Sequence, residues 1–241
     1  MAHSKGQLPE IIPTKDIWVG DKASPVKLVM YGDYESDACS KANIIVNQLM
    51  EKYEGKLQFN FRHFPLTRIH QRSHKAAEAS VGAAQEGKFW PMHNLLFEHR
   101  RRLGTISLKE YAKEAGVTDK NFLTKLVDSV YGWSVRADLL EGADKGIKDV
   151  PVFYLNDELY NGQINLNALC KSIDALLSKQ KKPVSKAAPK PIVEAVPKPV
   201  VKVEQKPVAK TVPKTVVKAA PKPAAKTTVK ATAKPAAKKR A

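Results

Sequence analysis

The sequence predicts an α/β fold: a sheet with helices on both faces, an inserted block of helices, and a tail that builds no core of its own. Three observations predict it. Apolar patterning runs strand–helix–strand, then a series of helical segments, then strand–strand–helix, for which a sheet covered on both faces is the economical solution. All seventeen aromatic residues lie at or before Tyr160. Charge is segregated: residues 181–241 carry 17 of the 41 Lys and Arg against two acids, Glu194 and Glu204, so this stretch holds +15 of the formal +17. The chain of 241 residues therefore divides into an N-terminal extension (1–14), a folded domain (15–180) with a helical insertion over about 66–146, and a cationic tail (181–241).

The elements follow in order. Val26 to Tyr31 is a short apolar run rich in β-formers, read as a buried strand, and Gly32-Asp33 ends it. From Ser36 to Tyr53, Ala42, Ile45, Val46, Leu49 and Met50 recur at helical spacing, and Gly55 closes the helix. Leu57 to His63 alternates as a second strand, and Pro65 to Gln71 is a loop. Ser73 to Glu86 is an Ala-rich helix with Ser73 expected as its N-cap. Phe89–Leu103, Ser107–Ala115, Asp119–Val130 and Ser134–Lys145 read as further helices. Pro151 to Leu155 and Glu158 to Tyr160 are strands around an Asn156-Asp157 turn, and Leu166 to Leu177 is a last amphipathic helix. Trp18, Trp90 and Trp133 are expected in the core or in helical contacts.

The stretch VKLVMYGDYESDACSKA, at the first strand-to-helix junction, resembles the active-site segment of DsbA-family thiol-disulfide oxidoreductases. FNFRHFPLTRIH, AAEASVGAAQEGKFWPMHNLLFEH and GIKDVPVFYLNDELYNG resemble the same family, in the same order, over about residues 12–178. The resemblance implies a thioredoxin fold with an inserted helical subdomain. It also implies a Cys-X-X-Cys motif at the head of the first helix, and a cis-proline loop beside it at Val150-Pro151.

The sequence departs from the family at the chemistry. Ser36 stands where the family has its attacking cysteine, while Cys39 keeps the second position. Exchange needs a thiolate that attacks sulfur through a mixed disulfide, which a hydroxyl cannot provide. Ser36 has two readings. It is a good N-cap. Alternatively, as in the related kappa-class glutathione transferases, it holds a bound glutathione thiolate by donating a hydrogen bond at the helix N-terminus. Cys39 is either an inert relic or a residual monothiol that forms mixed disulfides. The Val150–Pro151 loop either shapes the turn alone or presents backbone groups to an extended peptide or protein client. Cys170 falls at a core-like position on the last helix, with no reason to pair with Cys39. Dithiol turnover is therefore not expected. An enzyme working through Cys39 or Ser36 remains the alternative.

The tail repeats lysine every fourth residue, including Lys198, Lys202, Lys206, Lys210, Lys214, Lys218, Lys222, Lys226, Lys230, Lys234 and Lys238. Ten of the sixteen prolines lie there, which forbids a continuous helix. High charge without aromatics predicts a disordered segment of polyproline-II character. Its charge suits polyanions such as nucleic acid or an anionic membrane surface. With lysines about 12 Å apart when extended, it would bind without reading sequence. A solubilising spacer and a nucleic-acid-associated protein are the alternatives.

Other classes are excluded or set aside. No run of about 18 apolar residues predicts a membrane span. MAHSKGQLPE shows no apolar leader, and two cysteines make no disulfide scaffold, which together point to a cytosolic protein. No glycine-rich phosphate loop occurs. His70, His74, His93 and His99 sit near one another in sequence, but no metal is expected, since zinc wants three or four ligands in a defined geometry. Arg100, Arg101 and Arg102 read as a solvated helix end.

Overall fold

A parallel β–α–β crossover anchors the domain in the computed structural model, which describes residues 11–180. A 3-10 turn at Thr14–Asp16 leads to β1 (Trp18–Val19), β2 (Val26–Gly32), α1 (Asp37–Lys52) and β3 (Leu57–His63). The helices α2 (Ser73–Ala84), α3 (Phe89–Glu98), α4 (Thr105–Glu114), α5 (Phe122–Val127) and α6 (Gly132–Asp144) follow. The chain then returns through β4 (Val152–Leu155), β5 (Glu158–Leu159) and α7 (Leu166–Gln180). The sheet order is β1-β3-β2-β4-β5, with β2 and β3 parallel and the other pairs antiparallel. A parallel pair needs a long crossover, and α1 supplies it.

The pleat sorts the side chains. Leu28 and Met30 of β2 and Leu57, Phe59 and Phe61 of β3 join Ala42, Val46 and Leu49 of α1 in the core. Along β3 the intervening residues Gln58, Asn60 and Arg62 point the other way, as the alternation predicted. Yet every β3 residue is buried. The polar face is covered by α6 and the N-terminal turn, where the Asn60 amide nitrogen and Arg62 find partners while Asn60 Oδ1 accepts no hydrogen bond. Asn60 Nδ2 donates to Thr14 O at 2.7 Å and to Ile17 O at 2.8 Å. Arg62 Nε donates to Asp138 at 2.7 Å, and its Nη2 reaches Glu141. Asp138 also accepts from Thr14 Oγ1 at 2.6 Å and from the His63 amide at 2.9 Å. Gly142 permits this approach of α6, since a Cβ there would sit 2.6 Å from the Phe64 ring.

Several sequence expectations move. Thr14, assigned to the extension, is buried and bonded into the fold. β1 went unread because two residues show no periodicity. Ser73 is the first helical residue of α2, not its cap; its hydroxyl donates to His70 O at 2.9 Å, and Arg72 at the cap position is already helical. Some helices of the insertion are shorter than read, α3 ending at Glu98 and α5 spanning Phe122–Val127, whereas α4 and α6 each begin two residues earlier than expected. Trp133, expected in the core or in helical contacts, is 77% exposed on α6, with Arg136 of the same helix over its ring. The central helix of the insertion is α2, whose alanines let α3, α4, α5 and α6 approach it closely. Glu78 on α2 is buried beside Lys75 at 3.2 Å and His74 at 3.3 Å. The expected tail and most of the extension lie outside the described residues.

The Arg62–Asp138 pair sets a stability prediction. Breaking a buried pair costs about 3–5 kcal/mol, and although Arg62 keeps Glu141, loss of Asp138 also leaves Thr14 Oγ1 and the His63 amide without their acceptor. Asp138→Ala should therefore lower the unfolding free energy of the full chain by that amount in a urea titration, and a loss below about 1 kcal/mol would contradict the role given to the pair.

Candidate active-site segment at the head of α1

β2 ends at Gly32, and the chain turns through Asp33, Tyr34 and Glu35 into α1. The Asp33 carboxylate is buried and organises the turn. Its Oδ1 accepts from Glu35 N at 2.8 Å; its Oδ2 accepts from Leu66 N at 2.7 Å and meets His70 Nδ1 at 2.9 Å. Glu35 accepts from Arg72 N at 2.7 Å. Residues 66–72 are thus pinned to the turn at both ends.

Ser36 is the N-cap of α1, with extended backbone and an Oγ that accepts from Cys39 N at 3.2 Å. The geometry matches the capping reading. Asp37 in the first turn carries negative charge at the positive end of the helix dipole. It pairs with Arg100, so the triple-arginine stretch is not merely solvated: one of its members ties the end of α3 to the head of α1.

Cys39 is fully buried. Its sulfur accepts from Asp33 N at 3.4 Å. Burial pushes its thiol pKa up to about 11, and the Asp33 and Asp149 carboxylates push the same way, against smaller lowering from Ser36 and the Asp33 amide. The helix N-terminus, which activates an exposed cysteine, does not prevail over this desolvation.

The Val150–Pro151 peptide is cis and enters β4, whose Val152 pairs with Tyr31. That register sets Val150 and Pro151 beside Gly32 and Asp33, at the same end of the sheet as Ser36 and Cys39. Val150 N donates to Asp149 Oδ1 at 2.8 Å. Four sequence-selected residues, Ser36, Cys39, Val150 and Pro151, therefore lie at the same end of the sheet. Cys170 does not join them. It contacts Lys52 at the far end of α1, roughly 20 Å from the helix head at 1.5 Å per residue, whereas a disulfide needs Cα atoms within about 7 Å. Both cysteines are free.

Sequence reasoning missed the supporting groups. Tyr34 OH meets His93 Nδ1 at 3.0 Å, and His93 Nε2 meets Asn43 Oδ1 at 3.0 Å. An amide oxygen only accepts, so His93 carries its proton on Nε2 and takes the Tyr34 hydrogen bond on Nδ1. His63 lies in the same ring cluster, its Nε2 3.2 Å from Ser80 Oγ. Burial lowers the pKa of both imidazoles, that of His93 to about 3. These histidines are engaged in linking the turn, α1, α2 and α3. Among the described residues no group of three potential ligands is placed to hold a metal ion. The only advance signal was the Gly32-Asp33 break, which marked a turn but not its partners.

With this geometry, comparison with known proteins becomes specific. A family model described as thioredoxin matches residues 13–175. The chain belongs to the thioredoxin family. Its fold is DsbA-like. Similar solved structures include oxidised BdbD from Bacillus subtilis, with TM-score 0.62 and 22% identity over 67% of this chain and 92% of that one. The thiol-disulfide exchange protein α-DsbA2 from Wolbachia pipientis matches with TM-score 0.59 and 23% identity, over 68% and 89%. A periplasmic thioredoxin-like protein from Salmonella enterica serovar Typhimurium matches with TM-score 0.56 and 21% identity, over 67% and 89%. Curated relatives include the Na(+)/H(+) antiporter NhaA 3 of Salinispora tropica, 30% identical over 172 residues, which are 71% of this chain and 26% of the relative. The chain thus spans about a quarter of the length of the curated relatives it matches. No helix among the described residues is long and apolar enough to cross a membrane.

These matches overturn the cytosolic expectation: the similar structures include one described as a thiol-disulfide exchange protein and one described as periplasmic. The cysteine count was a weak guide for a physical reason. Two buried thiols far from one another cannot form a bond, whatever the redox poise of the compartment.

The buried imidazoles set a pH dependence. The folded pKa of His93, about 3, lies below its ordinary value near 6.5, so its contribution is complete above pH 6.5 and is lost as pH falls towards 3. That difference is worth about 5 kcal/mol, with His63 acting in the same direction. Urea midpoints measured from pH 7 to pH 4 should fall steeply in the wild type and less steeply in His93→Gln; parallel slopes would refute the assignment.

Proposed function

We propose that this chain is a DsbA-like thioredoxin-fold module without dithiol turnover, which binds extended protein segments and is held near a polyanion by its basic tail. One observation carries the reading. At the position where exchange requires an exposed thiolate, an oxygen caps α1, 3.2 Å from Cys39 N. The remaining sulfur is sealed behind it and held protonated at neutral pH, with a pKa of about 11. Neither half of an exchange cycle is then available, since one partner is the wrong element and the other is neither exposed nor ionised.

The binding half of the proposal draws support from what persists at the same end of the sheet. The Asp33 turn, the pinned 66–72 segment and the Val150–Pro151 step remain assembled around the capped helix. A site that keeps its frame after losing its nucleophile is suited to holding a chain without cutting or joining bonds in it. The tail half rests on charge alone, +15 over residues 181–241.

Insulin-reduction and scrambled-ribonuclease refolding assays test the chemistry. The native chain should stay at background, and Ser36→Cys should raise turnover, because Cys39 already occupies the resolving position. Native turnover abolished by Cys39→Ala would reverse the proposal.

The tail is tested in the full chain by changing to Gln the eleven lysines from Lys198 to Lys238 that follow the four-residue beat. DNA affinity should fall, and the slope of log K against log salt should flatten by about 0.9 for each phosphate that the tail no longer neutralises. Identical slopes for the two proteins would remove the tether.

A further inference from the structure

The solvent face of α6 carries a patch that the fold does not use. Trp133, Arg136 and Leu140 fall at i, i+3 and i+7, on one side of the helix. Trp133 is 77% exposed and Leu140 51% exposed, while the other side of α6 buries Val135, Asp138 and Gly142. Trp133, Arg136 and Leu140 line an open groove of about 560 Å3, together with Leu139, Thr67 and His74. Ile69, two residues beyond Thr67, is 70% exposed. Large apolar side chains exposed singly need no partner, but a group of them marks an interaction surface.

The cations at this groove are unmatched. The Arg136 guanidinium lies 5.6 Å from the Trp133 ring centroid, and among the described residues no carboxylate pairs with it. Arg68, next to Thr67, and Arg72, two residues before His74, are exposed and pair with no carboxylate either. Glu78, which lies against Gly132 of the groove wall, is buried and already held by Lys75 at 3.2 Å and His74 at 3.3 Å. Nucleic acid would match these cations but leave Leu140 and Ile69 in water. A bilayer interface accepts both kinds of group, the indole and aliphatic side chains at the acyl boundary and the guanidinium at the level of the phosphates. A second observation is independent of this patch. Residues 181–241 carry +15 and no aromatic residue, so the tail supplies attraction to an anionic surface and nothing that inserts. Apolar insertion and polybasic charge are the two signals that together hold a protein on a membrane.

We propose that the exposed face of α6 is a membrane-docking surface, which seats the domain on a bilayer containing anionic phospholipid. Trp133 and Leu140 enter the interface, Arg136 meets a lipid phosphate, and the tail draws the protein to the surface. This names an anionic lipid surface as the polyanion of the tether and rests on that reading for its long-range attraction. The docking face itself rests on α6.

The full chain is titrated with vesicles of phosphatidylcholine, with and without phosphatidylglycerol, and binding is read by co-sedimentation and by tryptophan emission. The wild type should bind the vesicles that contain phosphatidylglycerol, with a blue shift that Trp133→Phe removes while Trp18 and Trp90 still emit. Changing Trp133 and Leu140 together to Ser should weaken binding about tenfold, as expected for losing the partial burial of large apolar side chains, and leave the urea midpoint in place because both residues are exposed. Arg136→Glu should weaken binding, and Arg136→Lys should retain it. The variant with eleven tail lysines changed to Gln separates the two halves: if it binds vesicles like the wild type while the Ser variant does not, the tether fails and the docking face stands. Vesicle binding unchanged in the Ser variant would overturn the proposal. So would a Trp133 emission shift that appears with duplex DNA, or with dimerisation of the chain, but not with lipid.

Discussion

The buried carboxylate of Asp33 is the constraint on which this end of the molecule rests. It sits where β2 stops, and it accepts hydrogen bonds from the turn that starts α1 and from the segment that follows β3. A carboxylate without water must find such partners, because burying it unpaired is costly. Meeting that requirement sets the entry angle of α1 and the path of residues 66–72 at once. Ser36 as cap, the Arg100–Asp37 pair and the Tyr34–His93–Asn43 chain add to a geometry that Asp33 has already imposed.

That frame and the chemistry it serves in related proteins are physically separable. The frame needs hydrogen-bond acceptors and well-packed rings, and an oxygen at position 36 meets the capping requirement of α1 as well as the architecture demands. Exchange chemistry needs a sulfur that is exposed and ionised at the same place. Substituting oxygen leaves the first requirement satisfied while removing the second. The same desolvation that makes Cys39 a good core atom raises its pKa, so its contribution is to packing. Reactivity and burial oppose one another in a thiol, and the sealed sulfur of Cys39 at the head of α1 shows the buried outcome.

Residue patterning made most of the framework legible. Leu57 to His63 read as a strand and is one, because its apolar residues alternate with a period of two. Resemblance groups Ser36, Cys39, Val150 and Pro151, and the β2–β4 register sets them at one end of the sheet. Misreadings arose where local pattern is silent. Ser73 has the composition of a cap, but the preceding loop already runs as turns into α2. Trp133 looks like a core residue, but the face of α6 that meets β3 belongs to Val135, Asp138 and Gly142. A two-residue strand such as β1 has no period at all.

By itself, then, the sequence determined the alternation of strands and helices, a hydroxyl at position 36, and the separation of a near-neutral stretch from a cationic one. These are properties of composition and near-neighbour spacing, which the chain carries wherever it folds. Only the tertiary structure decided that polar Asn60 and Arg62 would be buried, that Asp33 would gather Leu66 and His70, and that Lys52 would reach Cys170. Each joins residues far apart along the chain, and a buried polar group is tolerable only once such a partner has arrived.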